Sequence, residues 1–234
     1  KNEALISNLF SEEEPFRAKD QAALNALKSE LGPLALPTLH GTVSTKARLA
    51  DAILRLCQSE GVLEIAKDIL DDERIFFHMA PAARIIHPLL RSALVPPHND
   101  YSYNQHLKND VDKYPFVTCW VPLQGKQNTN GGLKIYPKLE SMEKGVQKEG
   151  SYWIDNWEVD LDEKYAFLPD YNIGDAIFFN PFLMHGSNEP KSDSKDFRIS
   201  LDFRIFNSST KSTKHYYCCT KKKVFEPGDG PCGA

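Results

Sequence analysis

Arg198-Ile199-Ser200-Leu201-Asp202-Phe203-Arg204-Ile205-Phe206 alternates polar and apolar side chains from its first residue to Ile205. Successive side chains of a strand point to opposite faces, so Ile199, Leu201, Phe203 and Ile205 share one face and Arg198, Ser200, Asp202 and Arg204 the other. Two arrangements suit such a strand. Either the charges stand in water over an apolar core, or the apolar face packs outward against helices while the charges line a polar barrel interior. Working outward, further short runs rich in β-formers lie at residues 74–78, 116–123, 132–136 and 175–179, separated by Pro, Gly, Asn and Asp. That rhythm predicts a sandwich or jelly roll. Ahead of it, residues 21–31 and 46–56 carry apolar residues at three-to-four spacing and predict helices, with Ser44 or Thr45 as a cap for the second.

The expectation is one domain over residues 1–234: a helical scaffold at 1–73, a β core at 74–210 and a tail at 211–234 in which Lys221-Lys222-Lys223 is solvated. Between residues 141 and 165, Trp153, Trp157 and many charges interrupt the strand rhythm, as a lid over a site mouth does. A net charge of -4 gives neither a nucleic-acid footprint nor a polybasic membrane patch, which points to a small-molecule partner. No run approaches the roughly 18 to 20 apolar residues of a membrane span, and the first residues lack the basic-then-apolar build of a signal peptide. A soluble, cytoplasmic protein is expected, and nothing in the sequence specifies an oligomeric state. The five cysteines are odd in number and lack CxxC spacing, so reduced thiols are expected.

His98-Asn99-Asp100 carries the chemistry. Placed on a strand, His98 and Asp100 grip one metal from the same side while Asn99 turns away. A third ligand is offered by His185 in Gly174-Asp175-Ala176-Ile177-Phe178-Phe179-Asn180-Pro181-Phe182-Leu183-Met184-His185-Gly186-Ser187, where a buried strand ending just before the histidine aims it inward. Two imidazoles and a carboxylate on one side leave about three positions open, which suits Fe(II) that takes a chelating cosubstrate and then O₂. Structural zinc prefers a closed tetrahedral shell. Arg198 offers a planar donor fork, and Ser200 on the same face a hydroxyl; together they fit the distal carboxylate of 2-oxoglutarate. Asn99, Tyr101, Tyr103 and His106 lie beside or just past the metal motif, where they meet substrate or are ordinary loop residues. Arg204 either binds an anionic substrate group or pairs with Asp202.

These residues resemble the phytanoyl-CoA dioxygenase-like branch of the Fe(II)/2-oxoglutarate-dependent oxygenases. The resemblance runs over residues 84–206 and rests on four motifs in order: Pro97-His98-Asn99-Asp100; Trp120-Val121-Pro122-Leu123 with Asn130-Gly131-Gly132-Leu133; the 174–187 segment; and Arg198 to Arg204. It implies a mainly β fold with N-terminal helices, a double-stranded β-helix (a cupin-like jelly roll) with the metal at its open end. It implies that His98, Asp100 and His185 bind iron, that Arg198 salt-bridges the cosubstrate, and that Trp120 and Ser187 line its pocket. The implied reaction consumes 2-oxoglutarate and O₂, releases succinate and CO₂, and usually hydroxylates a C–H bond. Related halogenases replace the carboxylate with a small residue, so Asp100 favours hydroxylation. One departure stands out: Pro137-Lys138-Leu139-Glu140 occupies the place of the family's Pro-Gly-Ser-His loop. Two alternatives remain open on the residues alone. A cupin-type metal enzyme without 2-oxoglutarate does not require Arg198, and a non-catalytic jelly-roll binding module does not turn over.

Overall fold

A computed structural model describes residues 51–79, 81–86, 94–109, 114–125, 130–140, 146–147, 154–156, 161, 163–191, 193–194 and 198–226. Within them, helix α1 (Asp51–Cys57) is the described part of the helix expected at 46–56, and α2 (Glu60–Leu70) follows it. The helix expected at 21–31 and the caps Ser44 and Thr45 lie outside the described residues. Val62, Ala66 and Leu70 recur every fourth position of α2 and form its buried stripe. The helix ends where Asp71 turns left-handed, at φ 49°, and its N–H closes back on the Lys67 carbonyl.

The β core comprises β1 (Ile75–His78), β2 (Ala82–Ile86), β3 (Leu107–Asn109), β4 (Val117–Gln124), β5 (Leu133–Glu140), β6 (Val146–Gln147), β7 (Ile154–Asn156), β8 (Ile177–Phe179), β9 (Leu183–Ser187) and β10 (Arg198–Asn207). Strand β10 is the hub. One edge pairs antiparallel with β4, and the other pairs with β2 along Arg198 to Asp202 and with β1 along Ile205 to Asn207. β8 extends the sheet beyond β4, while β5 and β9 form a separate antiparallel pair.

The apolar face of β10 packs outward. Leu201, Phe203 and Ile205 are buried in one cluster with Ile53, Cys57, Val62, Ala66 and Leu70 of the two helices, with Ile199 against its margin. Burying each such side chain contributes about 1.5–3 kcal/mol. Arg198, Ser200, Asp202 and Arg204 are nonetheless buried on the opposite face, so the charges do not stand in water. They face a cavity shared with β9, an inverted polarity that makes the molecule a jelly roll with a polar interior.

Several elements differ from expectation. β2, a second partner for β10, was not anticipated. His98 is not in a strand but in an isolated bridge to His185, and Asp100 opens a one-turn helix, α3 (Asp100–Tyr103). His185 lies in the middle of β9, because Asn180-Pro181-Phe182 breaks the expected single strand in two. β5 runs through Pro137 to Glu140, so the expected loop is strand. The stretch expected as a tail forms β11 (Thr210–Ser212), β12 (Tyr216–Cys218) and β13 (Lys223–Phe225); β12 joins the main sheet against β1, and Lys223 begins β13. Cys57, Cys119 and Cys219 are free, as expected, whereas Cys218 is disulfide-bonded. Of the expected lid at 141–165, the described parts are the short β6/β7 pair and a 3₁₀ turn at Glu163–Tyr165; Trp153 and Trp157 lie outside the described residues. That turn is fastened to β5, where Glu163 accepts from Lys134 Nζ at 2.8 Å and from the Tyr136 hydroxyl at 2.7 Å. Among the described residues no helix is long and apolar enough to cross a membrane.

Candidate active site

The bridge between His98 and His185 builds the centre. Each residue's N–H donates to the other's carbonyl, at 2.8 and 2.9 Å, which brings the two imidazoles together, tilted by 50°, with ring centroids 4.4 Å apart. Gly186 permits the approach, since a Cβ there would come within 3.1 Å of the backbone at Val95 and Pro97. Ser187 fastens it from the other side, accepting from the Val95 N–H at 3.0 Å. Each imidazole is oriented by its Nδ1, 2.9 Å from the Pro96 carbonyl for His98 and 2.9 Å from the Leu183 carbonyl for His185. Nδ1–H donors leave both Nε2 lone pairs facing Asp100, the arrangement that readies histidines for a metal.

Asp100 Oδ1 lies 3.7 Å from His98 Nε2 and 4.0 Å from His185 Nε2. Two donors about 2.1 Å from one ion stand at most about 4.2 Å apart, so both separations admit a shared metal. All three residues are buried, and their ligand atoms lie within 4.8 Å of one another. Burial, reinforced by His185, pushes the His98 imidazole down to about 3, so it is neutral and ready to ligate at physiological pH. Burial alone would raise the Asp100 carboxyl, but Arg204 and the two imidazoles outweigh it and hold the group below the usual carboxylate range.

Beside this centre lies a cavity between the main sheet and the β5/β9 pair. Arg198 and Ser200 of β10, Trp120 of β4 and Ser187 of β9 all line it, together with the three candidate ligands. The Arg198 guanidinium stands 5.8 Å from the Trp120 ring centroid. Burial pulls Arg198 down only to about 10, so it stays charged at neutral pH. Its Nε and the Ser200 hydroxyl are buried without a hydrogen-bond partner. A buried unpaired donor on a cation is costly, and an incoming carboxylate satisfies it.

The structure therefore brings His98, Asp100, His185, Arg198, Ser200, Trp120 and Ser187 to one cavity. It does not bring Asn99, Tyr101 or Tyr103 to the wall. Asn99 caps α3 instead, its Oδ1 accepting from the Ser102 N–H at 3.0 Å. Tyr101 packs on Phe182, and Tyr103 stands edge-on to the outer side of the His98 ring at 5.4 Å. His106 packs against His78, the two rings tilted by 46° with centroids 4.2 Å apart, and it does not line the cavity. Arg204 lines the cavity but bonds two carboxylates, Asp100 and Asp202, rather than offering itself to a substrate anion. Sequence reasoning missed Thr118 and Arg84. Thr118 sits two residues before Trp120 on the same strand face, so parity along β4 was a signal for it. Arg84 is the one charge in Ala82-Ala83-Arg84-Ile85-Ile86, and it reaches Asp202 at 3.4 Å.

A family model described as phytanoyl-CoA dioxygenase (PhyH) matches residues 5–200, and the chain belongs to that family. Peroxisomal phytanoyl-CoA dioxygenase of Bos taurus is 24% identical over 234 residues, which cover 87% of this chain and 65% of the bovine protein. Its Homo sapiens counterpart is 23% identical over 207 residues, covering 75% of this chain and 57% of the human protein. The chain thus spans less than two thirds of these relatives' length. Among solved structures, EctD from S. alaskensis with 2-oxoglutarate and 5-hydroxyectoine aligns at TM-score 0.53 and 18% identity, over 86% of this chain and 72% of that one. The epimerase SnoN in complex with Fe3+, alpha ketoglutarate and nogalamycin RO aligns at TM-score 0.52 and 13% identity, over 84% and 78%. These likenesses establish the jelly-roll fold; of the cofactors expected from the sequence, 2-oxoglutarate is named with both neighbours and iron, as Fe3+, with SnoN.

Proposed function

We propose that the chain is an Fe(II)- and 2-oxoglutarate-dependent dioxygenase that hydroxylates a small-molecule substrate with release of succinate and CO₂. The observation that carries the reading is the buried Arg198–Ser200 pair, a charged donor and a hydroxyl with unpartnered atoms, opening on the cavity that holds His98, Asp100 and His185. When bound, iron(II) supplies the redox chemistry by which one O₂ oxidises both 2-oxoglutarate, to succinate and CO₂, and a substrate C–H, to C–OH. The chain's own residues bind and orient. Arg198 and Ser200 take the distal carboxylate of 2-oxoglutarate, and Trp120 walls its chain on one side. Leu133 and Phe179 exclude water from the same cavity. His98, Asp100 and His185, with the imidazoles oriented and the carboxylate held, would be the metal's protein ligands.

Asp100 supports hydroxylation over halogenation, because the carboxylate fills the position a halide needs. A succinate-release assay with Fe(II), ascorbate, 2-oxoglutarate and a panel of amino acids, sugars and acyl thioesters tests the proposal, with His98→Ala as the blank. Succinate formation above that blank is expected; none with any substrate, and no uncoupled background, counts against it.

A further inference from the structure

We propose that Arg204 is a positioning residue for the metal centre, which sets the Asp100 carboxylate so that a single oxygen faces both imidazoles. The inference rests on the metal-site reading above and deepens it. Arg204 Nη2 donates to Asp100 Oδ1 at 2.5 Å, and Oδ1 is the oxygen 3.7 and 4.0 Å from the two Nε2 atoms. Thr118 Oγ1 donates to the other oxygen, Oδ2. Both carboxylate oxygens are therefore held, and rotation of the group, which would present two oxygens to an ion, breaks one bond or the other. The second arm of the guanidinium, Nη1, is anchored on Asp202 Oδ1. All three charged groups are nine-tenths buried or more.

Two physical points separate this from an ordinary ion pair. A buried ion pair is a weak source of stability, since desolvation offsets most of its attraction. Here the geometry acts on a ligand instead: Arg204 and Thr118 fix the direction of a buried carboxylate that faces both imidazoles before any ion arrives. The charge of Arg204 would also repel a divalent ion, and Asp202, bonded to the same guanidinium, offsets that repulsion. Outer-sphere partners of this kind commonly set metal affinity.

The test is anaerobic titration of the full chain with Mn(II) alone, free Mn(II) being read by electron paramagnetic resonance, with thermal unfolding followed separately. Arg204→Met is expected to bind Mn(II) about 10- to 100-fold more weakly than wild type, with Arg204→Lys between the two and Thr118→Val weakened about tenfold. Should the Met variant fail to fold, the Lys and Val variants decide the matter. Folded variants that lose thermal stability yet bind Mn(II) within about twofold of wild type overturn the positioning role. Wild type that binds no Mn(II), or no better than His98→Ala, overturns the metal-site reading and the proposal with it.

Discussion

Arg198 and Arg204 share one face of one strand and each leaves its Nε without a partner, yet Arg204 bonds two carboxylates through Nη1 and Nη2 and Arg198 opens on the cavity instead. The difference fixes their expected behaviour. Arg198→Ala removes the only charge proposed to meet the distal carboxylate, and 2-oxoglutarate affinity measured by calorimetry is expected to fall by about 2 kcal/mol or more, at least roughly thirtyfold. Ser200→Ala removes one neutral hydrogen bond, with an expected loss of about 1 kcal/mol, near fivefold. Equal losses for the two would contradict the assignment of a charged and a neutral donor to one carboxylate. At this scale the sequence was legible where the chemistry was local. His98 and Asp100 are two residues apart, and Arg198 and Ser200 also, so spacing alone grouped them. Arg204 was read only as a substrate contact or a partner of Asp202, because its other partner, Asp100, lies 104 residues away. Asn99 was offered to substrate because its cap depends on α3, a helix too short to register as a pattern.

The alternation of β10 is the element that was read most fully, since a period of two survives any tertiary context. Its apolar face supports the helices, so Phe203→Ala, far from the cavity's chemistry, is expected to destabilise by about 3–5 kcal/mol. Chemical denaturation measures it, and a cost below about 1 kcal/mol would mean that the outward cluster is not a packed core. Gly131 is a second element-level constraint. Its φ is +72°, and a Cβ would fall 2.3 Å from the Asn188 carbonyl oxygen, which belongs to the chain leaving β9. Gly131→Ala is expected to cost at least about 1–3 kcal/mol and to loosen the β5/β9 pair; an unchanged midpoint in the same denaturation would refute this. Breaks in elements were less legible than their existence. The turn at Asn180-Pro181-Phe182 looked like the interior of one apolar strand, and the Asn180 side chain that stabilises it, accepting from the Phe182 N–H at 2.9 Å, is a local bond that apolar patterning does not register. The strands β11 to β13 were read as a tail because three-residue elements carry too little periodicity to detect.

Across the described residues, helices pack outside the main sheet and a polar cavity opens between that sheet and the β5/β9 pair, which makes binding and stability a single equilibrium. Ligands that bind only the folded chain raise its stability by RT ln(1 + [L]/Kd), about 2.7 kcal/mol at a hundredfold excess over Kd. For a chain of this size that is roughly 5–10 °C in Tm, expected for Mn(II) with 2-oxoglutarate in wild type and absent in His98→Ala. Fold class was legible at this scale because the β-rich runs and their breaks recur along the chain, whereas the pairing of β10 with β1, β2 and β4 rests on contacts that no local pattern encodes. The central claim is that His98, Asp100 and His185 hold iron(II) in the cavity where Arg198 holds 2-oxoglutarate. Anaerobic addition of Fe(II) and then 2-oxoglutarate, followed by visible absorption, addresses it most directly. The account predicts a weak metal-to-ligand charge-transfer band in wild type that His98→Ala abolishes and that Arg198→Ala shifts to much higher 2-oxoglutarate concentration. No band in the wild-type protein, or one indifferent to both substitutions, would contradict it.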